Sequence, residues 1–426
     1  MNDSRLVVGI SEKPKSIGSW IVLSLQHVFA MFGATVLVPL LTGMDVGVAL
    51  TASGIGTLIY ILCTKAKVPV YLGSSFAYIT TIQVAILSSG VESAYVGLMV
   101  VGLIYVLIAL IIRFVGSDWL KKLLPPVVIG PMIIIIGLSL APVAVENIML
   151  VPGSSSWKEP LVALVTFLTV VVLSIKAKGF LKIVPFLVAV LVGYVVAVLV
   201  GLVDLSTVFT NYKFFQIPNF SILGTYKIDF STTLMFAPLA FVTIAEHIGD
   251  HVVLGEITDR DFLHDPGLHN TILGDGIATF VSAAIGGPAN TTYGENTGVI
   301  AVTKVGSVWV TGLAACFAIL LGFFGYIQAF ITSIPWAVIG GMTIILYGLI
   351  AANGVKVLIK DKTDLSNMKN LVVVSTMLVI GLGGAYLNIT DASGLSGMSL
   401  AAIIGILLNQ GIQLLEKIGN KKTPTE

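Results

Sequence analysis

PPVVIGPMIIII, residues 125–136, and PWAVIGGMTIIL, residues 335–346, repeat one another at a constant offset of 210. Pro125/Pro335, Val128/Val338, Ile129/Ile339, Gly130/Gly340, Met132/Met342, Ile134/Ile344 and Ile135/Ile345 are identical. Each stretch opens an apolar run long enough for a helix across a bilayer, which takes roughly 20 apolar residues. About 14 such runs are legible, at 17–41, 46–63, 70–89, 94–115, 126–145, 160–176, 183–203, 231–255, 267–286, 288–303, 306–331, 335–352, 370–388 and 396–416. The two stretches open the fifth and the twelfth, seven runs apart. An odd number of crossings reverses the chain. The fold class predicted is therefore an all-α polytopic membrane protein, about 14 segments in two inverted repeats of seven, an arrangement found in many secondary transporters. A second echo agrees: Gln26-His27 interrupts the first run and Glu246-His247 the eighth.

The composition fits a bilayer. The chain is 56% hydrophobic and 11% charged, where soluble domains carry about 25% charged residues. A net charge of +1 gives no field for nucleic acid. Cys63 and Cys316 lie inside apolar runs, so no disulfide framework is expected. Residues 1–16 are polar and lack the apolar stretch of a signal peptide. With the N-terminus placed inside, 20 of the 23 Lys and Arg fall on the cytoplasmic side, and Lys158, Lys213 and Lys227 fall outside. That asymmetry predicts that both termini are cytoplasmic.

In inverted-repeat transporters the substrate sits near the midplane, where interrupted helices from the two halves meet. The third run opens VPVYLGSSFAYITT and the tenth GGPANTTYGENTG. Each reads as a short extended stretch leading into a half-helix, which membrane depth tolerates only when the backbone is buried in protein or lines a cavity. The half-helix N-termini then offer free N–H groups and a positive dipole end. Ionisable groups inside spans are functional candidates by default, and those read here are His27, Glu246, His247, Asp250, His251 and Glu295. Glu246 and Asp250, four residues apart, share a helix face; His247 and His251 share another, about 100° round. His27 is expected to donate a hydrogen bond between helices. His247 is read chiefly as a group that bonds a neighbouring helix, and His251 as structural or solvated near the cytoplasmic edge. The loop 204–230, with NYKFF, reads equally as lid or spacer.

These motifs carry a resemblance. Glu295-Asn296-Thr297-Gly298, followed by Thr303-Lys304, is similar to the signature of the nucleobase–ascorbate transporter family. Gln26-His27 resembles that family's first-helix motif, and AEHIG from Ala245 its eighth-helix motif. LQHVFAMFGATVLVP, YLGSSFAYI, DPGLHN and NTTYGEN resemble the family's bacterial uracil carriers. The resemblance covers the chain from about Ser11 to the last run. It implies a core domain, 17–115 and 231–331, and a gate domain, 116–203 and 332–416, between cytoplasmic tails 1–16 and 417–426. It also implies elevator-type alternating access, a homodimer, and residence in the bacterial plasma membrane. The substrate implied is uracil, imported by proton symport, with a proton-coupled purine permease of the family as the alternative. Purine carriers often have Gln where Glu295 stands, which favours the pyrimidine. Some uracil carriers place His where this chain has Asp250, which leaves the proton-handling residue open.

The residues suit such a ring. Uracil presents two N–H donors and two carbonyl acceptors, and an unpaired buried polar group costs about 1–3 kcal/mol. Ionised carboxylates only accept, so Glu246 and Glu295 are expected to take the ring N–H groups. Backbone N–H groups at Phe76 and Gly294 would donate to the carbonyls, with the rings of Phe76, Tyr293 and Tyr347 about the substrate. Two acids in one low-dielectric cavity do not both ionise readily, so proton coupling is expected at Glu246, Glu295, Asp250 and His247.

Three other readings compete. An anion transporter of the same architecture would want cationic or backbone donors rather than paired acids. A metal hydrolase at Glu246, His247, Asp250 and His251 lacks H-E-x-x-H order, and its acids and imidazoles diverge round the helix. A channel is disfavoured by the interrupted repeat. No enzyme activity, cofactor or metal is expected; the expected partners are uracil, protons and lipid.

Overall fold

The computed structural model describes residues 6–151, 156–221, 226–390 and 393–420. The tails and the loop 204–230 lie partly outside the described residues. Each apolar run holds a helix, labelled here in chain order. They are α1 (Ile17–Thr42), α2 (Val46–Cys63), α3 (Ile79–Ser89), α4 (Val91–Val115), α5 (Pro126–Ser139), α6 (Lys158–Lys176) and α7 (Pro185–Leu199). Then follow α8 (Leu239–Thr258), α9 (Leu268–Ala284), α10 (Gly294–Thr303), α11 (Val308–Gly322), α12 (Trp336–Lys360), α13 (Met368–Leu382) and α14 (Gly397–Asn420). By length and composition, eight helical stretches among the described residues can cross a membrane.

Helix ends follow local chemistry. Ser16 Oγ accepts from Ser19 N at 3.1 Å to start α1, and Asp45 Oδ1 from Val48 N at 2.9 Å to start α2, which satisfies donors that have no partner within the helix. Pro238 separates a first turn, Phe230–Phe236, from α8, because its ring removes a backbone donor. The eighth run is thus two pieces. The twelfth apolar run ends at 352, yet α12 continues to Lys360. Asn353, Lys356 and Lys360 lower the hydropathy there without breaking the helix.

Packing recurs under a shift of seven helices. α4 lies along α9 as α2 lies along α11, α6 packs on α12 as α5 does on α13, and α6 on α7 as α13 on α14. The two helices opened by the matched stretches, α5 and α12, pack on each other and run antiparallel. A Cβ added to Gly130 would meet Leu358 and Gly354, and one added to Gly137 would meet Tyr347 and Ala351.

At the centre, strands β1 (Leu72–Ser74) and β2 (Asn290–Thr292) form an antiparallel ladder, pairing Leu72 with Thr292 and Ser74 with Asn290. Ser75 N extends it to Ala289 O at 2.8 Å. All six strand residues are buried, so two breaks in helices satisfy each other's backbone at a depth where water cannot. A hairpin of β3 (Tyr386–Thr390) and β4 (Ser393–Ser396) precedes α14; it takes up the end of the thirteenth run. The loop before α8 pairs through Gln216 N with Phe323 O at 2.9 Å.

Candidate functional site

The ladder places two helix starts beside one another. After β1 a turn at Phe76–Tyr78 leads into α3, and after β2 the chain enters α10 at Gly294. No side chain caps either start, so their first N–H groups keep their donor capacity for whatever enters. Close approach fixes Gly73: a Cβ there would lie 2.4 Å from the Tyr293 ring. That ring is buried, and its hydroxyl donates to Ser74 O at 2.9 Å and accepts from Thr35 Oγ1 at 3.3 Å. Tyr293 therefore ties β2 to β1 and α1.

α8 runs past this ladder and presents Glu246 and Asp250 to it. Thr292 Oγ1 donates to Asp250 Oδ2 at 2.7 Å, and Thr291 Oγ1 reaches Glu246 Oε2 at 3.5 Å. Glu295 lies in the first turn of α10, which packs against α8. All three carboxyls are half-buried. The structure thus brings together three acids, the start of α10 and two threonines. Phe76 and Tyr347 meet edge to face with centroids 6.4 Å apart and planes at 77°, so Tyr347 closes on Phe76 rather than lying parallel to it.

The other face of α8 turns away. His247 is fully buried and its Nδ1 lies 2.6 Å from Asp275 Oδ2 on α9. His251 stacks on it, centroids 4.0 Å apart, and donates through Nδ1 to His247 O at 2.7 Å. A carbonyl only accepts, so in neutral His251 the Nε2 accepts from the Tyr60 hydroxyl at 2.5 Å. His251 is buried rather than solvated. His27 links α1 to α10, but as an acceptor. The Asn296 amide must donate to His27 O at 3.1 Å, and the same Nδ2 meets His27 Nδ1 at 3.1 Å.

The profile of the permease family matches residues 18–390. The chain belongs to the permease family. A uracil permease of Bacillus caldolyticus is 50% identical over 407 residues, 95% of this chain and 94% of that one. One of Bacillus subtilis (strain 168) is 46% identical, with 96% of each chain covered. One of Escherichia coli (strain K12) is 42% identical, covering 99% of this chain and 97% of that one. Among solved structures, the transmembrane domain of the cyanobacterial bicarbonate transporter BicA superposes with a TM-score of 0.63 at 15% identity, covering 94% of this chain and 98% of that one. Murine Slc26a9, an anion transporter in the inward-facing state, gives 0.69 at 11% identity, covering 95% of this chain and 69% of that one. At such identities the likeness is one of fold. This permease is a multi-pass membrane protein.

Sequence reasoning passed over Asp275, although it lies inside the ninth run and meets the rule that selected the other acids. It also passed over Thr291, Thr292 and Tyr60, whose value comes from contacts that no spacing reveals. Replacing Asp275 by Ala leaves the buried His247 Nδ1 without its partner. A loss of about 1–3 kcal/mol in stability is expected, read as a lower melting temperature of the detergent-purified protein, with Asp275→Asn milder because its carbonyl can still accept.

Proposed function

We propose that this permease imports uracil across the bacterial plasma membrane by proton symport. The observation that carries the reading is the convergence of Glu246 and Asp250 of α8 with Glu295 of α10 at the paired helix breaks. Relatives named uracil permease at 42–50% identity support the substrate. Glu246 and Glu295 accept the two ring N–H groups, and the N–H groups at Phe76 and Gly294 donate to the carbonyls. Tyr293 and Tyr347 bound the cavity. Three acids in one low-dielectric place hold a proton among them. Its release on one side of the membrane, linked to loss of substrate, gives symport. Asp250 tunes that proton through Thr292, and His247 acts from behind through Asp275.

In this reading α1–α4 and α8–α11 form a substrate-carrying core, α5–α7 and α12–α14 a gate, and fourteen spans in two inverted repeats leave both termini cytoplasmic. The core moves against the gate in an elevator cycle within a homodimer. The test is radiolabelled uracil uptake in a strain lacking its own uracil carrier, with an imposed proton gradient and xanthine, hypoxanthine and thymine as competitors. Accumulation is expected to rise with the gradient, collapse with a protonophore, and resist purines. Gradient-independent equilibration would remove the symport, and xanthine accumulation in place of uracil would move the substrate to the purines.

A further inference from the structure

The acids of α8 and α10 account for one side of the site. The other side is the second half of α12, and three contacts set its register. Asn353 Nδ2 lies 3.7 Å from where a Cβ on Gly294 would stand, at the start of α10. Val357 lies 3.9 Å from the corresponding point on Gly249, beside Asp250 on α8. Lys360 Nζ pairs with Glu256 Oε1 of α8 at 2.5 Å. Residues 353, 357 and 360 follow helical spacing on one face. That face therefore meets the start of α10 and touches α8 from Gly249 to Glu256.

Asn353 stands at the level of the site, and its amide has a defined orientation. Lys356 Nζ, one turn on, donates to Asn353 Oδ1 at 3.3 Å. Lysine only donates, so this contact holds the carbonyl oxygen toward Lys356 and leaves the NH2 toward Gly294, one residue before Glu295. Among the described residues no acceptor meets that NH2, and Asn353 is exposed. Ionised Glu246 and Glu295 cannot serve the carbonyls of a flat imide, because carboxylates only accept. The N–H groups at Phe76 and Gly294 fill one lone pair of each carbonyl, and an amide donor beside the α10 start can meet a second from the α12 side.

We infer that Asn353 is a specificity-determining residue, donating through Nδ2 to one ring carbonyl of the substrate. The inference rests on the uracil reading above and deepens it. One neutral hydrogen bond to a neutral acceptor corresponds to about a two- to tenfold effect on affinity. Asn353→Ala is expected to raise the KM for uracil by about that factor, with folded yield and gradient dependence unchanged. Asn353→Asp is expected to do worse: it removes the donor and adds an acid near Glu295. The discriminating readout is competition by 2-thiouracil and 4-thiouracil, whose sulfur accepts hydrogen bonds poorly. The parent chain should prefer uracil over one of the two, and Asn353→Ala should lose that preference and keep the other. An unchanged KM together with unchanged thio-analogue ratios would overturn the inference. Wild-type uptake, measured in parallel, reports on the uracil reading separately, since its absence would be seen before any variant is compared. Size-exclusion profiles of each variant show whether a raised KM comes from damaged protein.

Discussion

Glu246→Gln is expected to abolish uracil accumulation, and Glu295→Gln to do the same from the other side of the ladder. Each change is nearly isosteric, so the shape of the site and its contacts to Thr291 and the α10 start remain. What changes is chemistry. An ionised carboxylate accepts through both oxygens, whereas a Gln amide presents a donor on one side. Set against a ring N–H, that donor repels or forces a flip that strips another contact. A hydrogen bond to a charged partner contributes about 1.5–3 kcal/mol, which at 1.36 kcal/mol per tenfold is roughly ten- to hundredfold in affinity before coupling is considered. The amide also removes a proton site, so accumulation is lost even where some binding survives. In accumulation the double variant should be no worse than either single one, because each alone removes it, whereas the losses in binding should compound, since the acids meet different ring N–H groups. Asp250→Asn separates the roles: it keeps most binding, since Asp250 meets Thr292 at 2.7 Å, but flattens the dependence on the proton gradient. Full gradient-driven uptake by either Gln variant would take that acid out of the site.

How far the sequence led can be judged from particular residues. The repeat at 125–136 and 335–346 was visible because Pro125 and Pro335 both stand at helix starts, and Gly130 and Gly340 both sit where a Cβ would meet a neighbouring segment. The breaks at 70–89 and 288–303 were visible as Pro, Gly and hydroxyl residues where a helix would want Leu. The acids were visible because charge in a span is rare. What stayed hidden depends on long-range partners. Nothing in YLGSS or ANTTY says that Ser74 pairs with Asn290, because the register comes from two halves folding onto each other. The His247–Asp275 pair joins two helices whose order of burial no periodicity gives. Asn353, Lys356 and Lys360 made the twelfth run look finished, when the helix continues to Lys360, which pairs with Glu256 of α8. The edge-to-face contact of Phe76 and Tyr347 is a property of two rotamers, which the sequence does not encode locally.

The glycines where α5 and α12 cross carry the largest structural consequence. Gly137→Leu or Gly354→Leu is expected to yield no monodisperse folded protein, whereas Gly348→Leu on the same helix is tolerated. Around Gly137 a Cβ would lie 2.4 Å from Tyr347 O and 2.6 Å from Ala351 N. Around Gly354 it would lie 2.5 Å from Gly130 O and 2.7 Å from Ile134 N. These neighbours are backbone atoms, which cannot rotate away as a side-chain end can. In a bilayer, lipid is as apolar as leucine, so helices associate through close packing rather than through exclusion of water. A pair that touches backbone to backbone has no reserve: a leucine at either point must prise α5 from α12 along its length. Overpacking of ordinary cores costs about 1–3 kcal/mol, and here no side-chain movement relieves it. Gly348 has nothing within 4 Å, so a leucine there extends into open space, and it controls for insertion and expression. The comparison is read by fluorescence-detected size exclusion and by thermal melting in detergent. The functional consequence follows from Tyr347, whose carbonyl is the atom Gly137 admits and whose ring meets Phe76 at the start of the first half-helix. Even Gly137→Ala, if it folds, should displace that ring and raise the KM for substrate. Equal melting temperatures for Gly137→Leu and Gly348→Leu would mean that α5 and α12 do not depend on this crossing.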